Sequence, residues 1–225
     1  MSFPRIPQAV VFDMDGLLFD TEALYRDAMI AAALRLGFQM SEQVFATLIG
    51  LPPDASRARL LEHYGNDFDV DTYWRESAAG FHELSTGRSF LKAGVTELLA
   101  ALDRVGLRNA IATSSRHQDV QRNLTAHALG GRFHCVVAHG DYVLGKPNPD
   151  PFLKAAERLG VAPENCLALE DSFNGIRSAS AAGMMTVMVP DLVQPTEEIR
   201  KLCLRVARDL HEVRELLHTV RESAG

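Results

Sequence analysis

The sequence has few of the residues that build metal clusters or disulfide frameworks. Among its 225 residues only Cys135, Cys166 and Cys203 are cysteines, and no two of them form a CxxC pair. Its eight histidines show no HxH or HExxH spacing. These absences argue against a structural zinc site with the usual ligand spacing, and against a disulfide framework. Such cysteine usage fits a reducing compartment, so a cytoplasmic location is expected.

Long apolar runs and an excess of positive charge are also missing. No segment approaches the roughly 20 apolar residues of a membrane-spanning helix, and residues 1–7 lack the apolar stretch of a signal peptide. The 23 lysines and arginines face 29 aspartates and glutamates, giving a formal net charge of −6. Nucleic-acid binders usually carry a basic patch. We therefore expect no nucleic-acid or membrane partner, and a monomer that acts on a small molecule.

Short apolar runs along the chain have the character of strands that are buried on both faces of a sheet. They lie at 9–12, 110–112, 136–138, 167–169 and 186–189. Helical patterns separate most of these runs, for example at 94–105 and 150–159, and residues 197–220 are predicted to form outer-face helices. Strands that alternate with helices predict the α/β class with a doubly wound parallel sheet.

One long stretch breaks this alternation because it contains no convincing strand. Its helical patterns lie at 22–36, 41–49, 55–64 and 70–84. We predict that residues 20–87 form a small α-helical cap domain, inserted into a core domain made of residues 1–19 and 88–225. The two connections between these domains, near 19–20 and 86–88, would then act as a hinge.

Acidic side chains follow two of the predicted strands. Asp13 and Asp15 come directly after the run at 9–12, and Glu170 and Asp171 follow the run at 167–169. Ligands of open α/β sheets bind outside the carboxyl ends of the strands, and Mg²⁺ prefers oxygen ligands. Each acidic pair alone also fits solvated strand-end acids or a helix N-cap. Two acidic strand ends together favour a shared metal site.

Two further segments offer a positive charge and hydroxyl groups. Lys146 lies in the proline-stiffened turn 145–150, where its position would be fixed, although a lone loop lysine is usually a solvated surface charge. The Thr113-Ser114-Ser115 segment ends the run at 110–112. It could cap a helix at 118–128, or its hydroxyl and N–H groups could bind a phosphate at that helix N-terminus.

In chain order, the four segments around Asp13, Thr113, Lys146 and Glu170 resemble those of the haloacid dehalogenase-like superfamily. The resemblance extends over nearly the whole chain. The position of the helical insertion is similar to that of the C1-type cap of the phosphoglycolate phosphatase and β-phosphoglucomutase group. The resemblance implies that Asp13 attacks phosphorus to form an aspartyl-phosphate and that Asp15 acts as general acid and then base. It implies that Thr113 and Ser114 hold the phosphoryl oxygens and that Lys146 balances negative charge.

The resemblance also implies Mg²⁺ as the cofactor. The expected ligands are the Asp13 side chain, the Asp15 backbone carbonyl, Asp171 and Glu170. In the cap, the expected substrate contact is Gly50 in the loop 50–54, which contains no lysine or arginine. The predicted activity is therefore Mg²⁺-dependent hydrolysis of a small phosphate monoester, such as a sugar phosphate.

Two alternatives to this prediction stay open. A sugar-phosphate mutase would resemble the chain in all four segments, but it would carry a cap histidine and a cap arginine where this sequence has Tyr25 and Pro53. A non-enzymatic binding protein on the same fold would be favoured by a lost nucleophile or metal ligand, and neither is lost. Tyr73 and Trp74 are interpreted as packing residues, and His117 follows Thr113 closely enough to approach a substrate.

Overall fold

The computed structural model of the protein describes residues 4–49, 51–86 and 90–222. Its six strands form one sheet, in the order β3-β2-β1-β4-β5-β6, and every neighbouring pair is parallel. They are β1 (Ala9–Phe12), β2 (Arg108–Arg116), β3 (Cys135–His139), β4 (Cys166–Glu170), β5 (Met185–Met188) and β6 (Arg205–Val206).

Helices cover both faces of this sheet and form a separate group after β1. They are α1 (Glu22–Arg35), α2 (Glu42–Ala46), α3 (Pro53–Tyr64), α4 (Val70–Ser85), α5 (Val95–Arg104), α6 (His117–Ala126), α7 (Asp150–Leu159), α8 (Phe173–Ala181), α9 (Glu197–Leu202) and α10 (Leu210–Glu222). A short 3₁₀ turn, Pro163–Asn165, precedes β4.

The side chains of β1 alternate between two apolar cores, as the pleat of a strand requires. Val10 and Phe12 pack with residues of α5, α6 and α10 on one face of the sheet. Ala9 and Val11 pack with Phe152 and other residues of α7 and α8 on the opposite face. The predicted α/β class with a doubly wound parallel sheet is therefore confirmed.

The helices α1 to α4 follow β1 without an intervening strand and share an apolar core of their own. Met29, Phe45, Leu60 and Tyr73 are buried in this core. Because α1 and α4 pack along each other, the four helices form a helical unit beside the sheet. This unit is the inserted helical cap that the sequence predicts.

The two connections to the helical unit run side by side. The Asp20 N–H donates to the Phe90 carbonyl at 2.6 Å, and the Lys92 N–H donates to the Leu18 carbonyl at 2.9 Å. Phe19 and Leu91 form an antiparallel bridge between the same segments. Of the predicted hinge positions, Gly87 and Arg88 lie outside the described residues.

The sequence-based prediction was wrong at one edge of the sheet. Residues 197–220 were predicted to contain only helices, but β6 lies between α9 and α10 and pairs with β5. Only Arg205 and Val206 form this strand, so no apolar run marks it and backbone pairing alone defines it. Among the described residues, no helix is both long and apolar enough to cross a membrane.

Candidate active site

The predicted site residues converge at the carboxyl edge of the sheet. Because β1 lies between β2 and β4, the residues that follow these three parallel strands emerge next to one another. A cavity of about 500 Å³ lies between this edge and the helical unit. The predicted residues that line it are Asp13, Asp15, Thr113, Ser114, Lys146 and Asp171. Gly50, the expected cap contact, lies outside the described residues.

A buried lysine joins two of the strand-end acids. Lys146 is only 2% exposed, and its Nζ lies 2.5 Å from Asp13 Oδ1 and 2.6 Å from Glu170 Oε1. The other oxygen of Glu170, Oε2, accepts hydrogen bonds from the backbone N–H and the hydroxyl of Ser172. The interpretation of Lys146 as a solvated surface charge is therefore wrong, since its ammonium is held inside the protein.

Burial and neighbouring charges both affect the pKa values of Asp13 and Lys146. Burial raises the pKa of Asp13, while the adjacent Lys146 ammonium lowers it and so favours the ionised carboxylate. Burial also disfavours the charged form of Lys146, but the Asp13 and Glu170 carboxylates outweigh it and raise the pKa of the lysine above its ordinary value. Lys146 therefore stays protonated beside the acids.

The acids also form a group suited to a metal ion. Carboxylate oxygens of Asp13, Glu170 and Asp171 lie within 4.8 Å of one another, and all three residues are buried. Three carboxylates beside one lysine carry an excess of negative charge, which a divalent cation would balance. Oxygen donors are the ligands that Mg²⁺ prefers, so this donor set fits that ion.

The carboxylate of Asp15 is held separately by two hydroxyl groups. Thr21 Oγ1 donates to Asp15 Oδ1 at 2.7 Å, and Ser115 Oγ donates to Oδ2 at 2.6 Å. Burial raises the pKa of Asp15, while these two hydrogen bonds act in the opposite direction. A carboxyl group with a raised pKa suits proton transfer to a leaving group. The sequence pattern indicates Ser115 only as part of the hydroxyl segment that begins at Thr113, and it gives no signal for Thr21.

The hydroxyl cluster belongs to a strand and does not cap a helix. β2 continues through Thr113, Ser114 and Ser115 to Arg116, and the Ser115 N–H donates to Thr113 Oγ1 at 3.0 Å. The N-cap of α6 is Arg116, which makes no side-chain capping bond. The alternative interpretation of these residues as an N-cap cluster is therefore wrong.

The segment at the end of β4 supplies both a helix cap and members of the acid group. Ser172 is the N-cap of α8, and its hydroxyl accepts a hydrogen bond from the Gly175 N–H at 3.1 Å. Asp171 is therefore not the capping residue, and its carboxylate belongs to the acid group at the cavity. Capping is confirmed for this segment, but through Ser172 only.

Gly175 leaves space for the Glu170 carboxylate, because a Cβ at position 175 would overlap it. We expect Gly175→Ala to displace Glu170 from Lys146 and to lower the free energy of unfolding by about 1–3 kcal/mol, as overpacking typically does. Urea denaturation measures this loss. Gly130→Ala is the matched control, since its added methyl group would contact nothing within 4 Å. Equal stability of the two variants would contradict the proposed packing.

The cap side of the cavity contains residues that the sequence analysis interpreted differently. Tyr73 is fully buried in the cap core, as expected of a packing residue. Trp74 lines the cavity, so the interpretation of Trp74 as a packing residue is incomplete. Tyr25 also lines the cavity and stacks on Phe81, with ring centroids 4.1 Å apart. His117 is not among the lining residues described, and its Nε2 lies 2.9 Å from Asp141 Oδ2.

Two arginines that no sequence motif indicated line the same cavity. Arg116 follows Ser115 at the end of β2 and makes no ion pair with a described residue. Arg122 of α6 pairs with Asp119 at 2.9 Å and lies 5.9 Å from the centroid of the Phe81 ring. Among the described residues, the lysine and arginine side chains that line this cavity therefore come from the core side.

Comparisons with known proteins agree with this geometry. The profile of the haloacid dehalogenase-like hydrolases matches residues 10–189, which include β2, β4, all but the first residue of β1, and all the acids described above. The chain belongs to this family. A probable pseudouridine-5′-phosphatase from Drosophila melanogaster is 37% identical over 191 residues, which cover 80% of each chain.

Two solved structures share the fold. CbbY from Rhodobacter sphaeroides, in complex with phosphate, is 28% identical with a TM-score of 0.79, and the match covers 92% of this chain and 96% of that chain. A β-phosphoglucomutase from Clostridium difficile has the same TM-score at 22% identity, covering 96% and 99%, and shows the shared fold alone. The family and the 37% identical phosphatase make the chain a phosphoric monoester hydrolase.

Proposed function

We propose that this phosphatase hydrolyses a small phosphate monoester through an aspartyl-phosphate at Asp13, with Mg²⁺ as its cofactor. The observation that carries the proposal is the buried Asp13 carboxylate at the end of β1, in contact with Lys146 and beside Glu170 and Asp171. Asp13 opens onto the cavity, so a phosphoryl group that entered it would meet this carboxylate.

In the proposed reaction, an Asp13 oxygen attacks phosphorus and the bond to the leaving oxygen breaks. Asp15 gives its proton to that oxygen and later removes a proton from the water molecule that attacks the aspartyl-phosphate. Attack by this water breaks the bond between phosphorus and the Asp13 oxygen and releases inorganic phosphate. The hydroxyl of Thr113 and the N–H of Ser114 would bind phosphoryl oxygens, and Lys146 would offset their charge.

The proposed Mg²⁺ ligands are the side chains of Asp13, Glu170 and Asp171 and the backbone carbonyl of Asp15. When bound, the ion would neutralise charge on the transferring group and on the acids around it.

We propose the domain boundaries predicted from the sequence, with residues 20–87 as cap, because α1 to α4 have their own core. The monomeric state and the cytoplasmic location remain predictions.

Metal removal tests the proposed cofactor. We expect EDTA to abolish phosphate release and Mg²⁺ to restore it, because the buried acids repel each other and the substrate without a cation. Ca²⁺ should inhibit, since its longer and looser coordination misplaces the attacking carboxylate. Mg²⁺ should also raise the thermal midpoint of the parent protein but not that of Asp171→Asn. In Asp67→Asn, which changes an exposed aspartate and serves as the control, Mg²⁺ should raise the thermal midpoint as much as in the parent. Undiminished activity in EDTA would contradict this site.

The mutase alternative is less well supported by the cap side of the cavity. Among the described lining residues, the cap contributes no lysine or arginine that could hold a second phosphate. Tyr25 and Pro53, at the positions where a mutase would carry histidine and arginine, both line the cavity. A second phosphate placed at this cap surface would therefore depend on Arg116 or Arg122 of the core for a cation.

Product analysis separates the two activities. We incubate the enzyme with Mg²⁺, β-glucose 1-phosphate and a trace of glucose 1,6-bisphosphate, and we follow inorganic phosphate and glucose 6-phosphate together. Hydrolysis to glucose and phosphate is expected if this sugar phosphate is accepted. Glucose 6-phosphate that accumulates faster than phosphate would make the mutase the better assignment.

A further inference from the structure

Resting on the proposed function, we infer that Gly145 and Asn174 are positioning residues that hold the cap over the active site. Gly145 receives the ring of Pro52, and Asn174 binds the backbone at Ile49. Neither Gly145 nor Asn174 is among the described residues that line the cavity. They act on the reaction through the cap, by fixing it against the core segments that carry the proposed catalytic and metal-binding groups.

Asn174 donates a hydrogen bond from α8 to the cap. Its side-chain Nδ2 lies 3.3 Å from the carbonyl oxygen of Ile49, which is 125 positions away in the chain. Ile49 is buried and lines the cavity from the cap side. Because the acceptor is a backbone carbonyl, this bond fixes the position of the cap chain itself beside the cavity.

The ring of Pro52 packs directly on Gly145. A Cβ at position 145 would lie 2.8 Å from Pro52 Cγ and 3.2 Å from Pro52 Cβ, closer than carbon atoms pack at their optimal separation. The backbone of Gly145 does not have a positive φ, so alanine would fit the local conformation. Glycine is therefore required at this position by the close approach of the cap.

The two contact points belong to one connected part of the core. Ser178 of α8 donates its hydroxyl hydrogen to the Asn148 carbonyl at 2.5 Å. The Asn148 N–H in turn donates to the Gly145 carbonyl at 3.0 Å. The turn that contains Gly145 is thereby tied to the helix that contains Asn174, so the cap meets both residues as a single surface.

The same segments present the active-site groups. Lys146, whose ammonium contacts Asp13, directly follows Gly145, and Asp171 lies three positions before Asn174. A cap held at this surface closes the cavity beside these groups and excludes water while the phosphoryl group is transferred. One hydrogen bond between neutral groups and one apolar contact are weak enough to break afterwards, so that the leaving alcohol can depart.

A change in the core and its compensation in the cap test the contact at Gly145. Ribose 5-phosphate is the probe ester, and phosphate release is followed with Mg²⁺. We expect Gly145→Ala to lower kcat/KM about tenfold, because the added methyl group overpacks the contact and displaces the Pro52 ring. Pro52→Ala removes Cγ and Cδ of that ring, so Gly145→Ala should cost about threefold or less in this background.

Rescue of this kind separates a contact with the cap from a purely local role of Gly145 in its turn. Gly130→Ala is the matched control, since its added methyl group would meet nothing within 4 Å, and it should retain the parent value. Equal losses from Gly145→Ala in the parent and in Pro52→Ala would overturn the inference.

The hydrogen bond from Asn174 is tested by its removal. We expect Asn174→Ala to lower kcat/KM about fivefold, the typical effect of one hydrogen bond between neutral groups. Because both contacts hold the same stretch of cap chain, Asn174→Ala should cost less when Gly145→Ala is already present. Asn66→Ala changes an exposed asparagine of the cap and should retain the parent value. Parental activity of Asn174→Ala, or losses that multiply in full, would overturn the shared role.

Docking of the cap can also be measured without turnover. We expect Asn174→Ala and Gly145→Ala to speed hydrogen–deuterium exchange in the segment that joins α2 to α3, because loss of a docking contact favours local opening. Exchange in α10, which packs on α5, should not change. If the parent releases no phosphate, the proposed function fails for this ester, and the exchange measurement alone decides the inference. Unchanged exchange between α2 and α3 in both variants would overturn it.

Discussion

Asp13→Asn is expected to abolish turnover while the fold remains intact. An amide does not attack phosphorus, and it is a weaker metal ligand than a carboxylate, so the covalent step has no nucleophile. A loss of roughly 10⁴-fold or more in kcat is expected, as for other residues that form the covalent bond. The fold should tolerate the change because the amide is isosteric and uncharged, and because Lys146 keeps Glu170 as a partner at 2.6 Å.

The measurement is phosphate release under single-turnover conditions, with the thermal midpoint recorded for the same preparations. Asp67→Asn is the matched control, since this exposed aspartate is not among the described cavity residues, and it should retain the parent rate. Hydrolysis by Asp13→Asn within tenfold of the parent would contradict the covalent mechanism. A folded and inactive variant would agree with it.

Lys146→Met is expected to cause the largest loss of stability among the substitutions considered. It leaves the Asp13 and Glu170 carboxylates buried without their shared ammonium, and breaking a buried ion pair from one side typically costs about 3–5 kcal/mol. Urea denaturation in EDTA measures this loss. Mg²⁺ should restore part of the stability, because a cation bound to the folded state alone stabilises it. Turnover should fall as well, because Lys146 would no longer offset charge on the phosphoryl group.

Two further variants separate the loss of charge from the loss of side-chain packing. Lys154→Met removes a more exposed lysine that pairs with Glu157 at 2.9 Å, and its expected cost is at most about 1 kcal/mol. Adding Glu170→Gln to Lys146→Met should recover some stability, because it removes one of the unpaired buried charges. If Lys146→Met were as stable as Lys154→Met, the buried cluster would not have the energetic role described here.

The sheet and the convergence of the strand-end acids could be predicted from the sequence because both follow from local patterns. Apolar runs identify buried strands, and parallel strands bring the residues that follow them to one edge of the sheet. Asp13, Glu170 and Asp171 therefore come together although more than 150 positions separate Asp13 from the other two. The two-residue strand β6 has no such pattern, so its backbone pairing was not foreseen.

Other features depend on how distant segments fit together. The hydrogen bonds from Thr21 and Ser115 to Asp15 depend on how the start of α1 and the end of β2 meet the segment after β1, which spacing in the sequence does not determine. Helical spacing does place Trp74 and Tyr73 on different faces of α4. It does not say that the Trp74 face meets a cavity, because that depends on where the cap lies above the sheet.

A structure of the protein with Mg²⁺ and trifluoroberyllate, a mimic of the phosphoryl group, tests the central claim most directly. The account predicts that beryllium is bonded to an Asp13 carboxylate oxygen, with fluorides bound by Thr113, the Ser114 N–H and Lys146, and with the ion beside Asp171. Beryllium bonded to Asp15 or to any other side chain would contradict the assignment of Asp13 as the residue that carries the phosphoryl group.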